Sequence, residues 1–261
     1  MIIKPLKKFG QNFLIDQNII HKLIDQLNLS CDDLVIEIGP GKGSITNVLC
    51  NKINRLIAIE IDSRVIDYLK SSFINLNLIN DDIMKIKFAN FITDSNQKIK
   101  ILGNIPFNLT GDILFKLIEE KQNISDASLI IPFDIAKRIV ANCNTKEYGI
   151  LTVIFNYFSN VHLVSKVSKN VFSPRPNIDA AILHINFIKE ENPNIDKELF
   201  IKVVKAAFGN RRKTLLNSLR NSIFKNCNFT NFQTQLSKRA EDLNVSDFIK
   251  LTEEIQFYHD T

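Results

Sequence analysis

The chain has 261 residues, 45% of them hydrophobic and 23% charged, with a formal net charge of +5. Such a length suits one large domain or a medium domain with a small companion, and the apolar content is enough to bury a full core. No apolar run approaches the roughly 18 residues of a membrane span. The start, Met1-Ile2-Ile3-Lys4-Pro5, has no secretory pattern, and a motif that begins by Lys8 leaves no space for a cleaved targeting segment. A cytoplasmic location with no membrane partner is the expectation.

Cys31, Cys50, Cys143 and Cys227 are scattered without a C-x-x-C pair, and His21, His162, His184 and His259 form no cluster. The cysteines are therefore expected to be small buried hydrophobes, with no metal site and no Cys/His catalytic centre.

The first half alternates strand and helix signals, the pattern of an α/β domain with a mainly parallel sheet. Leu34-Val35-Ile36-Glu37-Ile38 is an apolar run that ends on Gly39-Pro40-Gly41-Lys42-Gly43 and opens a helix. Glycines there let the chain turn sharply and let a ligand, contacting Gly39 and Gly41, approach the backbone. Nucleotides bind at such strand ends, near the switch point of a parallel sheet. The spacing G-x-G-x-G is neither the dinucleotide fingerprint nor a Walker loop, so the turn alone is a weak sign.

Leu56 to Ile61 is the second strand, and Glu60 at its end can accept hydrogen bonds from both hydroxyls of a ribose. A helix over Ser63 to Phe73 and a weaker strand, Leu76 to Asn80, follow. Asp82 then stands where it can accept from an adenine amine, or equally cap a helix. Glycine turn and strand-end acids together favour an adenosine-containing ligand, with NAD and S-adenosylmethionine both open.

Lys100 to Gly103 leads into Asn104-Ile105-Pro106-Phe107. The exocyclic amine of adenine is a poor nucleophile because its lone pair is delocalised into the ring. Attack on a sulfonium methyl needs fixed oxygens to accept the amine hydrogens. The Asn104 side chain and the carbonyl of Ile105 or Pro106 can supply them. Pro106 stiffens the loop, and the ring of Phe107 offers a stacking surface for a base taken out of its helix. The same four residues also make an ordinary strand-end turn.

A helix over Gly111 to Lys121 and strands at Ser128 to Ile131, Val161 to Val167 and Ala180 to Phe187 complete the expected α/β domain, residues 1–188. Lys189-Glu190-Glu191-Asn192-Pro193-Asn194 reads as a linker. The remainder, residues 189–261, is expected to be helical: Lys197 to Phe208, Lys213 to Ile223, Phe229 to Leu236 and Ser246 to Ile255. Between Lys197 and Lys225 there are eight Lys/Arg residues and one acid, Glu198, an excess that suits a phosphate backbone or a solvated helix face.

The loop resembles the N-[LIP]-P-[YF] motif of amino-group methyltransferases, and other blocks narrow the likeness. Lys8-Phe9-Gly10-Gln11-Asn12-Phe13-Leu14, Glu37 to Gly43 and Asn104 to Asn108 resemble those of the ribosomal RNA adenine dimethyltransferases. So do Lys146-x-Tyr148-Gly149, Phe172-Ser173-Pro174-Arg175-Pro176, Phe208 to Leu215 and Arg239 to Leu243, and the likeness covers nearly the whole chain. It implies a Rossmann-like class I methyltransferase sheet with a small C-terminal helical domain. The implied cofactor is S-adenosylmethionine, with S-adenosylhomocysteine as product. The implied reaction is dimethylation of two adjacent adenosines near the 3′ end of small-subunit ribosomal RNA in a pre-ribosomal particle, by a monomer.

By the same resemblance the cofactor contacts fall on Asn12, Leu14, Gly39, Glu60, Asp82 and Asn104, with Asn12 and Leu14 closing over its methionine end. The basic residues Lys202, Lys205, Arg211, Arg212 and Lys213, the last three before a helix, are expected to grip RNA phosphates, joined by Arg175. Two departures stand out. Phe107 replaces the usual tyrosine, so no phenol can be essential. Pro132-Phe133-Asp134-Ile135 stands where something like Q-K-E-V belongs, and Phe133 is a candidate second stacking face for the base, or a packing residue. The rival readings are a large-subunit adenine methyltransferase of the macrolide-resistance type, an RNA-binding assembly factor whose methylation is secondary, and an NAD-dependent oxidoreductase.

Overall fold

The computed structural model describes residues Gly10–His259 except Asn75, Ser95 and Glu191, and the side chains of Tyr258 and His259 are left out. Met1–Pro5, Lys8 and Phe9 of the opening motif, Glu191 of the expected linker and the His259 ring thus lie outside the described residues. By internal contacts the chain divides into two units, the first running to Ala136 and resuming over Val161–Ile188. The second holds Lys137–Asn160 and the chain from Lys189 onward. The expected linker begins where the second crossing falls, whereas residues 137–160, read from sequence as part of the α/β domain, group with the C-terminal unit.

The first unit begins with β1 (Phe13–Leu14) and α1 (Gln17–Asp25). Asp16 starts this helix by accepting the Asn18 and Ile19 N–H groups on one oxygen, and Ile20, Leu23 and Ile24 give it a buried stripe. Next come β2 (Leu34–Ile38), α2 (Ser44–Leu49), β3 (Arg55–Ile59), α3 (Ser63–Ser72) and β4 (Asn77–Ile79). They are followed by β5 (Ile99–Asn104), α4 (Thr110–Glu119), β6 (Ile124–Pro132) and α5 (Phe133–Ile139). After α6 (Ile150–Phe158) of the second unit, the sheet is completed by β7 (Asn160–Val167) and β9 (Ala180–Asn186), with the short β8 (Phe172–Ser173) between.

Seven strands form one sheet in the order β4-β3-β2-β5-β6-β9-β7. It is parallel from β4 to β6, and β9 runs antiparallel to β6. Every residue of β2 is buried, as expected of a strand covered on both faces. The order reverses at β2, since the chain moves outward to β3 and β4 and then returns to add β5 on the other side. The carboxyl ends of β2, β3 and β5 are therefore gathered at one edge of the sheet, at its switch point. A separate two-stranded ribbon pairs β1 with β8 antiparallel, joining the Gly10–Leu14 block to the Phe172–Pro176 block.

The second unit packs α6, α7 (Lys197–Ala207), α8 (Leu215–Arg220) and α9 (Val245–His259). Its core is aromatic. Tyr157 stacks on Phe200 with ring centroids 4.1 Å apart, and Phe208 lies against Phe248 at 5.7 Å. The buried Tyr148 hydroxyl donates to the Leu243 carbonyl at 2.7 Å.

Three expectations need correction. No helix forms over Phe229 to Leu236: the Glu254 carboxylate takes the N–H groups of Gln233 and Thr234, and Asn228 takes that of Thr230, so side chains replace helical partners. Ile-Leu-Thr-Val-Ile-Phe-Asn-Tyr-Phe at 150–158, rich in strand-forming residues and not anticipated as an element, is a helix because burial of six of its nine residues overrides propensity. The cysteines are all free but not buried: Cys31 and Cys50 are exposed, and Cys143 and Cys227 are half-buried.

Candidate active site

A cavity opens at the carboxyl edge of the sheet in the first unit. Its walls bring together Asn12, Gly39, Gly41, Glu60, Asp82, Asn104, Pro106 and Phe107, residues spread over 96 positions of sequence. Leu14, expected to contact the cofactor, is not in the wall; it is buried in the core cluster with Phe172, against which Phe107 packs.

The turn after β2 supplies the floor. Gly39, Gly41 and Gly43 all have positive φ, the left-handed region that favours glycine. A Cβ on Gly39 would meet no protein atom within 4 Å, while one on Gly41 would stand 2.8 Å from the Phe13 ring. With both residues in the cavity wall, a bare backbone is what a closely fitted ligand needs, and the site passes that test.

Glu60, 5% exposed, projects from the end of β3. One carboxylate oxygen accepts the Gly41 N–H at 3.0 Å and the other accepts the Asp62 N–H at 2.9 Å. Burial raises its pKa, and these two N–H donors act against the rise. The carboxylate is thus held in one orientation, with further lone pairs for ligand hydroxyls. Asp82 has the capping role that the sequence allowed it and also stands at the cavity. One oxygen caps the short 3₁₀ turn Ile83–Lys85 through the Met84 N–H at 2.9 Å, and the residue also lines the cavity.

Asn104 closes β5. Its Nδ2 donates to the Asn12 carbonyl at 2.6 Å, which fixes the amide and leaves Oδ1 as an acceptor. The Pro106 carbonyl is engaged by the start of α4, accepting the Leu109 N–H at 3.0 Å and the Thr110 hydroxyl at 3.3 Å. Of the two carbonyls that sequence left open, the one without a donor among the described residues is that of Ile105.

Gln11 and Asp62 were not anticipated. Gln11 Nε2 donates to Asp62 Oδ2 at 2.8 Å, tying the segment before β1 to the turn after β3. Asp62 also binds Arg64 through Nε at 2.9 Å, and the Arg64 guanidinium holds the carboxyl down to about 2. Its position two residues beyond Glu60, at the N-cap of α3, was the available sequence signal. Beneath the glycine turn lies Glu37, fully buried, accepting the Thr46 hydroxyl at 2.7 Å on one oxygen while the other has no partner. Burial pushes this carboxyl up to about 8.

Phe133 does not line the cavity. It is half-buried at the start of α5, with the Lys166 ammonium 5.2 Å from its ring centroid. Arg175 is exposed in the same unit. In the second unit Lys202, Lys205, Arg212 and Lys213 are exposed, with Thr214 capping α8 as anticipated. Arg211 differs from them. Its guanidinium bonds Glu241 at 3.0 Å and the carbonyls of Tyr148 and Thr145 at 3.0 and 3.3 Å, all within that unit.

The family described as ribosomal RNA adenine dimethylase matches residues 4–256. A ribosomal RNA small subunit methyltransferase A from Francisella tularensis subsp. novicida is 38% identical, covering 95% of this chain and 96% of that protein. The protein of the same name from subsp. tularensis strain WY96-3418 is equally similar. Among solved structures, a dimethyladenosine transferase from Plasmodium falciparum superposes with a TM-score of 0.78 at 23% identity, covering 95% of this chain and 98% of that one. The 23S rRNA methyltransferase ErmE superposes at 0.68 and 22% identity, covering 94% and 100%. These two share the fold. With the match extending over almost its whole length, the chain belongs to the ribosomal RNA adenine dimethylase family.

Proposed function

We propose that the chain is an S-adenosylmethionine-dependent enzyme that dimethylates two adjacent adenosines of small-subunit ribosomal RNA, acting as a monomer on a pre-ribosomal particle in the cytoplasm. The observation that carries the chemistry is the pair of oxygens at the end of β5: Asn104 Oδ1, oriented by the Asn12 carbonyl, and the donor-free carbonyl of Ile105. Two acceptors beside a cavity are what the amine of adenine needs, since accepting both hydrogens frees the nitrogen lone pair as it pyramidalises. S-adenosylmethionine, when bound, supplies a sulfonium methyl group.

The chain's own residues bind, orient and exclude water. Glu60 accepts from the ribose hydroxyls, Asp82 from the adenine amine through its second oxygen, and the backbone at Gly39 and Gly41 allows close approach. Asn12 closes the methionine end, with Leu14 anchoring that segment in the core. Pro106 keeps the loop rigid and Phe107 stacks on the target base. Stacking is assigned to Phe107 rather than Phe133, which stands outside the cavity under a cation. No side chain needs to take a proton in the methyl-transfer step, because the product ammonium loses it readily to water.

RNA is held by phosphate contacts from Lys202, Lys205, Arg212 and Lys213, with Arg175 as a further contact from the first unit. Arg211 serves as a brace inside the second unit. Transfer of a labelled methyl group to undermethylated small and large subunits, offered separately, tests the reading. Label on the small subunit, absent with Asn104→Ala, is expected; label on the large subunit alone overturns it.

A further inference from the structure

The segment that carries Asp82 has no place in the sheet. After β4 it makes the 3₁₀ turn Ile83–Lys85 and then a second over Phe88–Phe91, and the main-chain bonds of both turns are local. Ile83 and Phe88 are buried and seat it on the core. Two polar side chains at the end of α4 tie its backbone. Lys116 Nζ donates to the Ile86 carbonyl at 2.6 Å, and the Phe88 N–H donates to Glu120 Oε2 at 2.6 Å. The two side chains are also paired, Lys116 Nζ with Glu120 Oε1 at 2.6 Å, and the ammonium lies 5.1 Å from the centroid of the Phe88 ring.

Lys116 is 7% exposed and shares the buried face of α4 with Ile113 and Leu117. An apolar side chain would fill that position without stripping water from an ammonium, and replacing a buried ion pair by apolar groups is often neutral or stabilising. Stability alone therefore does not account for the pair. What the pair supplies is direction, because each charged group grips one main-chain group of the segment and holds the other in place. Ile113, one turn before Lys116, lines the cavity together with Asp82 and Ile83. One oxygen of Asp82 is already fixed on the Met84 N–H, so the placement of this turn decides where the other oxygen points.

We infer that Lys116 and Glu120 are positioning residues for cofactor recognition: by clamping the backbone at Ile86 and Phe88 they set Asp82 where its second oxygen meets the exocyclic amine of the cofactor's adenine. The inference rests on the reading of Asp82 as that acceptor. Neither clamp residue lines the cavity, and both act only through the segment. Glu60 is held by other groups, the N–H donors of Gly41 and Asp62, so the ribose contact does not depend on the clamp.

Two ligands isolate the contact: S-adenosylhomocysteine and its analogue with hydrogen in place of the exocyclic amine. They share the ribose and the amino-acid end, so a general loosening of the cavity weakens both alike and cancels in the ratio of their Kd values. By calorimetry the parent should prefer the adenosyl compound by roughly one to two decades. Lys116→Met should lower that ratio by about fivefold or more. Lys116→Met combined with Glu120→Leu leaves no lone buried charge, which keeps the test readable if the single variant does not fold, and should lower the ratio at least as far. Asp82→Ala should remove the preference. A ratio that stays at the parent's value in either clamp variant, while Asp82→Ala has lost it, overturns the inference. A preference that survives Asp82→Ala overturns instead the reading of Asp82 on which the clamp depends.

Discussion

The cavity of the first unit is lined by strand ends and glycine turns whose polar groups hold one another in place, whereas the basic segment of the second unit presents long, exposed side chains. Glu60 is fixed by two main-chain N–H groups and Asn104 by a main-chain carbonyl. Lys202, Arg212 and Lys213 stand in solvent. A site built from fixed dipoles stabilises charge redistribution without reorganising, and each member matters singly. A surface of flexible cations works by counterion release, is roughly additive, and weakens with salt. One region is suited to chemistry and the other to grip.

The largest effect should come from Asn104→Ala. Single-turnover methyl transfer is expected to fall by about 100- to 1,000-fold, the usual cost of one preorganised polar group, while RNA affinity stays at the parent's value. Loss of RNA binding in this variant would erase the division of labour. Glu60→Ala comes next: calorimetric affinity for S-adenosylmethionine should drop by roughly one to two decades, since hydrogen bonds to a charged group are worth about 1.5–3 kcal/mol.

Arg212→Ala with Lys213→Ala should raise the Kd for RNA and reduce the slope of log K against log salt by roughly 0.7–0.9 per charge removed. Cofactor affinity should not move. Arg211→Ala sharpens the comparison because its sequence neighbours are the proposed RNA contacts and it is bonded within its own unit. Removing it should leave the salt slope unchanged and lower the melting temperature by a few degrees, on the order of the 2–4 °C per kcal/mol of a protein this size. A changed slope with unchanged melting would place Arg211 on the RNA after all.

Stability should also depend on pH. Glu37 is raised from the ordinary carboxyl value of 4.5 to about 8 by burial. The folded state therefore holds its proton more tightly than the unfolded chain. Its favourable contribution is fully present below about pH 4.5 and is lost as pH climbs through about 8. Glu37→Gln should flatten that part of the stability curve in denaturant titrations; an unchanged curve would mean that the carboxyl titrates normally.

The sheet and the placement of the Asn104–Phe107 loop at a strand end were legible because hydrophobic runs and strand-end motifs are local signals. Glu60, Asp82 and Asn104 could each be placed at a strand end from the run that precedes it. The direction of main-chain groups was not legible in this way. Nothing in Asn-Ile-Pro-Phe says that the Leu109 N–H at the start of α4 engages the Pro106 carbonyl. Arg211 looked identical to Arg212 in sequence, and only the nearby carbonyls of Thr145 and Tyr148 separate a brace from a contact. The helix at 150–158 was hidden by strand-forming residues whose burial decides their state.

The most direct test of the account is to map the methyl groups the enzyme places on small subunits that lack them, by reverse-transcription stops after reaction with S-adenosylmethionine. The cavity and the basic segment together predict stops at two neighbouring adenosines of small-subunit RNA, at low salt, and none with Asn104→Ala. Stops on large-subunit RNA, or stops that persist without Asn104, would contradict it.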